Sequence, residues 1–227
     1  MIMRHEPREY DSSHVFVLSH PKAGTRWVRD MFAENVLCVR KDIVHEAFRT
    51  QPVRTLRRWK EPGLHIAVCY SSTWIPQAYR EFPELRMAVI MRDPIDSALS
   101  LLSHRQRGKP KFDEPGHFSV WITEAWGLLN RGLQILEELN IDAPRWHFDY
   151  YTTLTGFKEL ANSIDVQLVD RIKYAEKTYE TDRGDRIYRE EVPNILIEQL
   201  EEAFAGFKYL KQAHDKAKAE AQAKLGD

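Results

Sequence analysis

Cysteine is scarce in this chain of 227 residues: Cys38 and Cys69 are the two present. They are too few for a disulfide-built scaffold and stand in no metal-ligand spacing. Long apolar runs are missing as well, and none approaches the roughly 18 residues that a membrane-crossing helix needs. Residues 1–13 are charged and carry no apolar leader core, so the expected location is cytoplasmic. Net charge nearly vanishes, with 33 Lys+Arg against 34 Asp+Glu, which argues against bulk binding of nucleic acid. Disorder is excluded by the same figures, because 43% of the residues are hydrophobic and the charges balance.

The balance conceals two unlike halves. Residues 1–111 carry 19 Lys+Arg against 12 Asp+Glu, and residues 112–227 carry 14 against 22. An excess of positive charge in the first half suits an anionic partner there. Short apolar, β-branched runs at 14–19, 65–70 and 86–91 read as strands, with a weaker one at 145–150. Helical patterns occupy 25–37, 76–81, 94–104, 118–139, 153–164 and 193–209. Strands alternating with helices imply an α/β fold of three layers, with a central parallel sheet covered on both faces. The segment 105–116, rich in Pro, Gly and charge, reads as a loop or lid. One domain over 1–210 is expected, followed by a charged tail over 211–227 that is helical or disordered.

Two turns carry the chemistry. The first run, VFVLS, enters His20-Pro21-Lys22-Ala23-Gly24-Thr25, and a helix follows at once. Small residues between a buried strand and a helix N-terminus let the backbone close around an oxyanion, where the helix offers N–H groups and a positive dipole end. Lys22 adds a point charge and Thr25 a hydroxyl. The GxxxxGK[ST] spacing is absent and Lys22 precedes the glycine, so the turn is P-loop-like without being a Walker A motif. The run RMAVIM repeats the arrangement into Arg92-Asp93-Pro94. Pro94 suits the first helical position and Asp93 the cap. Arg92 and Ser100, two turns along the helix, offer a guanidinium fork and a hydroxyl for a second phosphate.

Together these turns resemble the sulfotransferases that use 3′-phosphoadenosine 5′-phosphosulfate (PAPS). Pro21-Lys22-Ala23-Gly24-Thr25-Arg26-Trp27 is similar to that family's 5′-phosphosulfate loop, and Arg92-Asp93-Pro94 through Ser100 to its 3′-phosphate motif. The resemblance implies sulfonate transfer from PAPS to a hydroxyl, with adenosine 3′,5′-bisphosphate as product and no metal. It implies Lys22 at the bridging oxygen and the transferred sulfonate, and Ala23, Gly24, Thr25 and Arg26 around the 5′-phosphate. Trp27 would stack on adenine, with Arg92 and Ser100 on the 3′-phosphate. Phe148-Asp149-Tyr150-Tyr151-Thr152-Thr153-Leu154 is similar to a segment whose Tyr lies near the adenine, which suggests Tyr151 with Tyr150 as a competitor. A late 3′-phosphate clamp maps to Arg183 and Gly184, with Arg186 an alternative.

The family's catalytic His has no counterpart in Tyr70-Ser71-Ser72-Thr73. Asp30, eight residues after Lys22, matches a Glu base of heparan sulfate sulfotransferases and is the expected replacement; its alternative role is an ion pair with Arg26. His20, His45 and His104 form a second group of candidates, and His65 reads as packing or surface. The acceptor, a hydroxyl-bearing small molecule or saccharide, would lie among 44–60, 72–80 and 105–126. Trp59, Trp74, Trp121 and Trp126 there serve either as a wall or as core, and the basic run at 54–60 reads as a solvated helix face. The alternative readings are a non-catalytic nucleotide- or polyanion-binding module and a nucleotide-dependent kinase of related fold.

Overall fold

Val15, Phe16, Val17 and Leu18 are all fully buried, so their strand has apolar neighbours on both faces and must lie inside a sheet. In the computed structural model, which describes residues 13–45, 52–69, 72–105, 115–173 and 192–226, that strand is β1 (Ser13–Ser19). The side chains of 45, 102–105 and 115–121 lie outside the description. Among the described residues β1 is joined by β2 (Lys41–His45), β3 (Leu64–Cys69), β4 (Arg86–Met91) and β5 (Arg145–His147) in one sheet. The order is β2-β3-β1-β4-β5 and every pairing is parallel. The expected three-layer α/β architecture is therefore present.

Helices follow the strands as α1 (Thr25–Asn35), α2 (Pro52–Arg58), α3 (Ile75–Glu81), α4 (Pro94–Arg105) and α5 (Pro115–Glu138). The C-terminal part contains α6 (Phe148–Tyr151), α7 (Leu154–Ser163), α8 (Asn194–Ala205) and α9 (Lys208–Gly226). Two apolar layers flank the sheet. Val15 and Val17 face Trp27, Val28 and Met31 of α1 and Phe157 and Leu160 of α7. Phe16 and Leu18 face the opposite layer, with Trp59, Ile75, Leu129, Leu133 and Leu210. Trp59 and Trp126, 0% and 2% exposed, belong to this core.

Four expectations about the elements need correction. Residues 41–45, left unassigned, form the edge strand β2, whose Ile43 and Val44 are half-buried among charged neighbours. The strand expected over 145–150 stops at His147, whose side chain accepts the Asp149 N–H and caps the helical turn α6. The helix expected over 193–209 breaks at Gly206 and Phe207 between α8 and α9. The segment expected as a helical or disordered tail is helical, but it is the greater part of a packed helix, α9, with Leu210, Ala213, His214, Ala217 and Ala221 buried. Among the described residues no helix is long and apolar enough to cross a membrane.

Candidate active site

The chain leaves β1 toward β2 on one side of the sheet and leaves β4 toward β5 on the other. Connections diverging in this way open a crevice between the carboxyl ends of two neighbouring strands, the position at which open α/β sheets bind ligands. β1 and β4 are direct neighbours, with Ser19 opposite Ile90. The turns 20–24 and 92–93 thus emerge side by side over that crevice.

The first turn is shaped by backbone in the left-handed region, with φ of 65° at Lys22 and 86° at Gly24. A non-glycine residue there costs on the order of 1 kcal/mol and persists where the surroundings over-determine it. The surroundings here are explicit. Ala23 is fully buried and donates its N–H to His20 O at 3.3 Å. Its carbonyl accepts the hydroxyl of Tyr151, itself 0% exposed. A Cβ on Gly24 would stand 2.7 Å from Tyr151 Oη and 2.9 Å from Phe148 Cε2, so the turn rests directly on α6. Burial pushes the Tyr151 phenol far above its ordinary pKa, which keeps it a donor.

From this support the chain enters α1. The first intrahelical bond runs from Val28 N–H to Gly24 O at 3.0 Å. The amides of Gly24, Thr25, Arg26 and Trp27 precede it, and Gly24 supplies no side-chain cap. Such a helix start offers N–H groups and a dipole end to an anion. The Ala23 amide, expected at the 5′-phosphate, is engaged with His20 O in closing the turn. Lys22 and Gly24 are half-buried, Thr25 is buried and Arg26 is exposed.

The second turn is capped internally. Asp93 Oδ1 accepts the N–H of Ile95 at 3.0 Å and of Asp96 at 3.1 Å, as expected of a cap. The Arg92 side chain supplies the positive charge at this turn. Its guanidinium lies 4.9 Å from the centroid of the Phe148 ring, an attractive cation–π arrangement. Ser100 is half-buried two turns along α4.

His20 joins the two turns. The Arg92 N–H donates to His20 Nε2 at 3.1 Å, which leaves the proton on Nδ1 to be donated to Pro21 O at 3.0 Å. Complete burial drives the ring's pKa down to about 4, so it is neutral near pH 7. His20 is thereby placed as the tie between the two motifs, with both ring nitrogens engaged. From the far side α9 approaches the same turn, with Lys218 Nζ 3.9 Å from Asp93 Oδ2.

Of three comparisons with known proteins, one found a likeness, to solved structures. The chain's fold is similar to that of a sulfotransferase. One such solved structure is mouse sulfotransferase SULT7A1 complexed with PAP, matched over 94% of this chain and 91% of that one with a TM-score of 0.56. Sequence identity is 12%, so the likeness is one of fold. No family model matches the chain, and no curated protein matches it.

The remaining expected residues fall as follows. Trp27 is 3% exposed, its ring 6.1 Å from Tyr151 and 5.8 Å from Phe157, so stacking on adenine requires this packing to open. Asp30 is half-exposed and accepts from Arg29 Nε at 2.7 Å; this neighbour replaces the anticipated Arg26. Tyr150 turns away from the loop and donates to Glu159 at 2.8 Å, leaving Tyr151 as the loop contact. His65 is 4% exposed and stacks on His14. Arg57 and Arg58 are exposed on α2, with Arg58 2.7 Å from Asp42. Arg183, Gly184 and Arg186 lie outside the described residues, as do the side chains of His45, His104 and Trp121. The sequence reading missed Phe148, which supports Gly24 and meets Arg92. The signal was its three-residue offset from Tyr151, which puts both rings on one side of a helical turn. Among the described residues no three His, Cys, Asp or Glu side chains are gathered as a metal site.

Proposed function

We propose that this protein is a PAPS-dependent sulfotransferase acting on a hydroxyl of a small-molecule or carbohydrate acceptor. The observation that carries the reading is the pairing of the Lys22 turn with the Arg92 turn at the divergence of β1 and β4, tied together by His20. Two anion-receptive groups on adjacent strand ends suit one ligand with phosphate at both ends of a nucleoside. The likeness to a sulfotransferase complexed with PAP supports the same choice.

PAPS would supply a sulfonate activated by its anhydride link to phosphate. Around it, Lys22 neutralises charge on the bridging oxygen, and the amides of Gly24, Thr25 and Arg26 hold the 5′-phosphate at the start of α1. Arg92 and Ser100 hold the 3′-phosphate, which separates this donor from ATP; Arg183 and Gly184 complete that grip. Tyr151 and Phe148 keep the loop in place beneath, and Trp27 packs behind Tyr151. Asp30 takes the acceptor's proton as general base.

Calorimetric titration tests the donor. Adenosine 3′,5′-bisphosphate should bind well ahead of ATP, and Arg92→Ala should weaken it far more than it weakens 5′-AMP. Equal or absent binding of the bisphosphate overturns the reading, and a preference for ATP favours a kinase. With a sulfonate acceptor in hand, Lys22→Ala should lower turnover on the order of 10²- to 10³-fold. Asp30→Asn should abolish turnover while donor binding persists; near-normal turnover rejects Asp30 as the base.

A further inference from the structure

The ring of Phe148, at the start of α6, touches both turns of the site. Its edge lies where a Cβ on Gly24 would have to go, with Cε2 at 2.9 Å and Cδ2 at 3.2 Å from that position. The Arg92 guanidinium stands over the same ring, 4.9 Å from its centroid. The ring is itself fixed. His147 caps α6 by accepting the Asp149 N–H, and Phe148 packs edge to face against the fully buried Tyr151, at 5.7 Å and 86°. One half-buried aromatic ring thus bears on both anion-receptive turns.

How Arg92 is held decides what it can do. The adjacent carboxylate, Asp93, is committed to the amides of Ile95 and Asp96, with Lys218 nearby. Among the described residues the Arg92 side chain makes no ion pair and no hydrogen bond, so the Phe148 ring is what orients it. A guanidinium over a ring is attracted by the ring's negative face without giving its N–H donors to an acceptor. A carboxylate in the same place would neutralise Arg92 and occupy its fork. We propose that Phe148 is a positioning residue that keeps Arg92 open for a phosphate on the 3′ side of a nucleoside. Through Arg92 it makes the site select 3′-phosphorylated nucleotides. This role rests on the donor site proposed above.

Calorimetric titration of the full-length protein with three probes separates the two halves of the site. 5′-AMP reports the Lys22 turn, 3′-AMP the Arg92 turn, and adenosine 3′,5′-bisphosphate both. Phe148→Leu keeps apolar bulk beneath Gly24 and removes the ring. It should weaken 3′-AMP and the bisphosphate about tenfold and leave 5′-AMP within about twofold. A 3,4,5-trifluorophenylalanine placed at position 148 alone keeps the ring and withdraws charge from its face. It should reproduce the selective loss while melting near the wild type, which a packing role would not do, and it serves also if Phe148→Leu fails to fold. An equal loss for all three probes in Phe148→Leu, or full-strength 3′-AMP binding by the fluorinated protein, overturns the role of Phe148. If the wild type prefers the bisphosphate and both variants keep that preference, Phe148 is rejected and the donor reading stands. If the wild type binds the bisphosphate no better than 5′-AMP, both fall.

Discussion

Tyr151 holds the loop at 20–24 by its hydroxyl, beside the ring edge of Phe148. The hydroxyl closes on the Ala23 carbonyl, and its oxygen lies where a side chain on Gly24 would have to go. Tyr151→Phe leaves a buried carbonyl unpartnered and should cost about 1 kcal/mol, seen as a melting temperature about 2–4 °C lower for a chain of this size. The larger effect should fall on donor binding, because Lys22 and Gly24 lose the contact that keeps them in left-handed conformations. Gly24→Ala should be worse: a Cβ at φ 86° meets Tyr151 Oη and Phe148 together. Removing the hydroxyl relieves one of those two collisions. The double variant Gly24→Ala/Tyr151→Phe should therefore bind adenosine 3′,5′-bisphosphate better than the sum of the single losses implies. Strict additivity in calorimetry would show that the hydroxyl does not set the loop.

At the scale of elements, α9 turns a charged segment into part of the core. Its buried face is built from Ala213, Ala217 and Ala221, four residues apart, with Leu210 and His214. Small residues at this spacing let the helix lie close along β5. Ala217→Asp would bury a charge at a position 1% exposed, whereas Ala219→Asp places the same charge in water. The first should cost roughly 3 kcal/mol or more and the second well under 1. Equal melting temperatures would mean that α9 does not pack. The same helix marks what the sequence could reveal. The strands 86–91 and 14–19 were legible because they are continuous apolar runs, and the Lys22 and Arg92 turns because a strand, a turn and a helix occur in immediate succession. An alanine stripe has no such contrast with its surroundings, so α9 read as a tail. β2 was lost for a related reason, since an edge strand with only Ile43 and Val44 facing the core carries too few apolar residues to alternate visibly. The end of β5 was lost to a cap: only the His147 side chain on the Asp149 amide shows that the chain turns helical at Phe148. His20 was legible as a residue near the site but not as a tie, because its partner Arg92 is 72 positions away.

Across the whole molecule, buried histidines make stability depend on pH in a direction the net charge does not suggest. His14 Nε2–H donates to Trp59 O at 2.6 Å, and its ring is stacked 5.5 Å from that of His65. His20 joins the turns after β1 and β4, and His214 lies on the buried face of α9 with its ring 5.4 Å from that of His147. Burial is the leading cause that lowers the pKa of all three below the ordinary 6.5, to about 4 for His20. Asp215 beside His214 opposes the shift without reversing it. Each ring stays neutral in the fold while its unfolded counterpart takes up a proton below 6.5. The unfolded chain then binds more protons, so the stabilisation is complete above 6.5 and is lost as pH falls below it, for His20 down to about 4. For His20 alone the loss approaches roughly 3 kcal/mol. Melting temperature should fall between pH 7 and 5, and His20→Gln, which can still bridge Pro21 and Arg92 without titrating, should be less stable at pH 7 but less steep in its decline. An unchanged slope in His20→Gln would remove His20 from the acid response and, with it, the claim that neutral His20 is what joins the two turns.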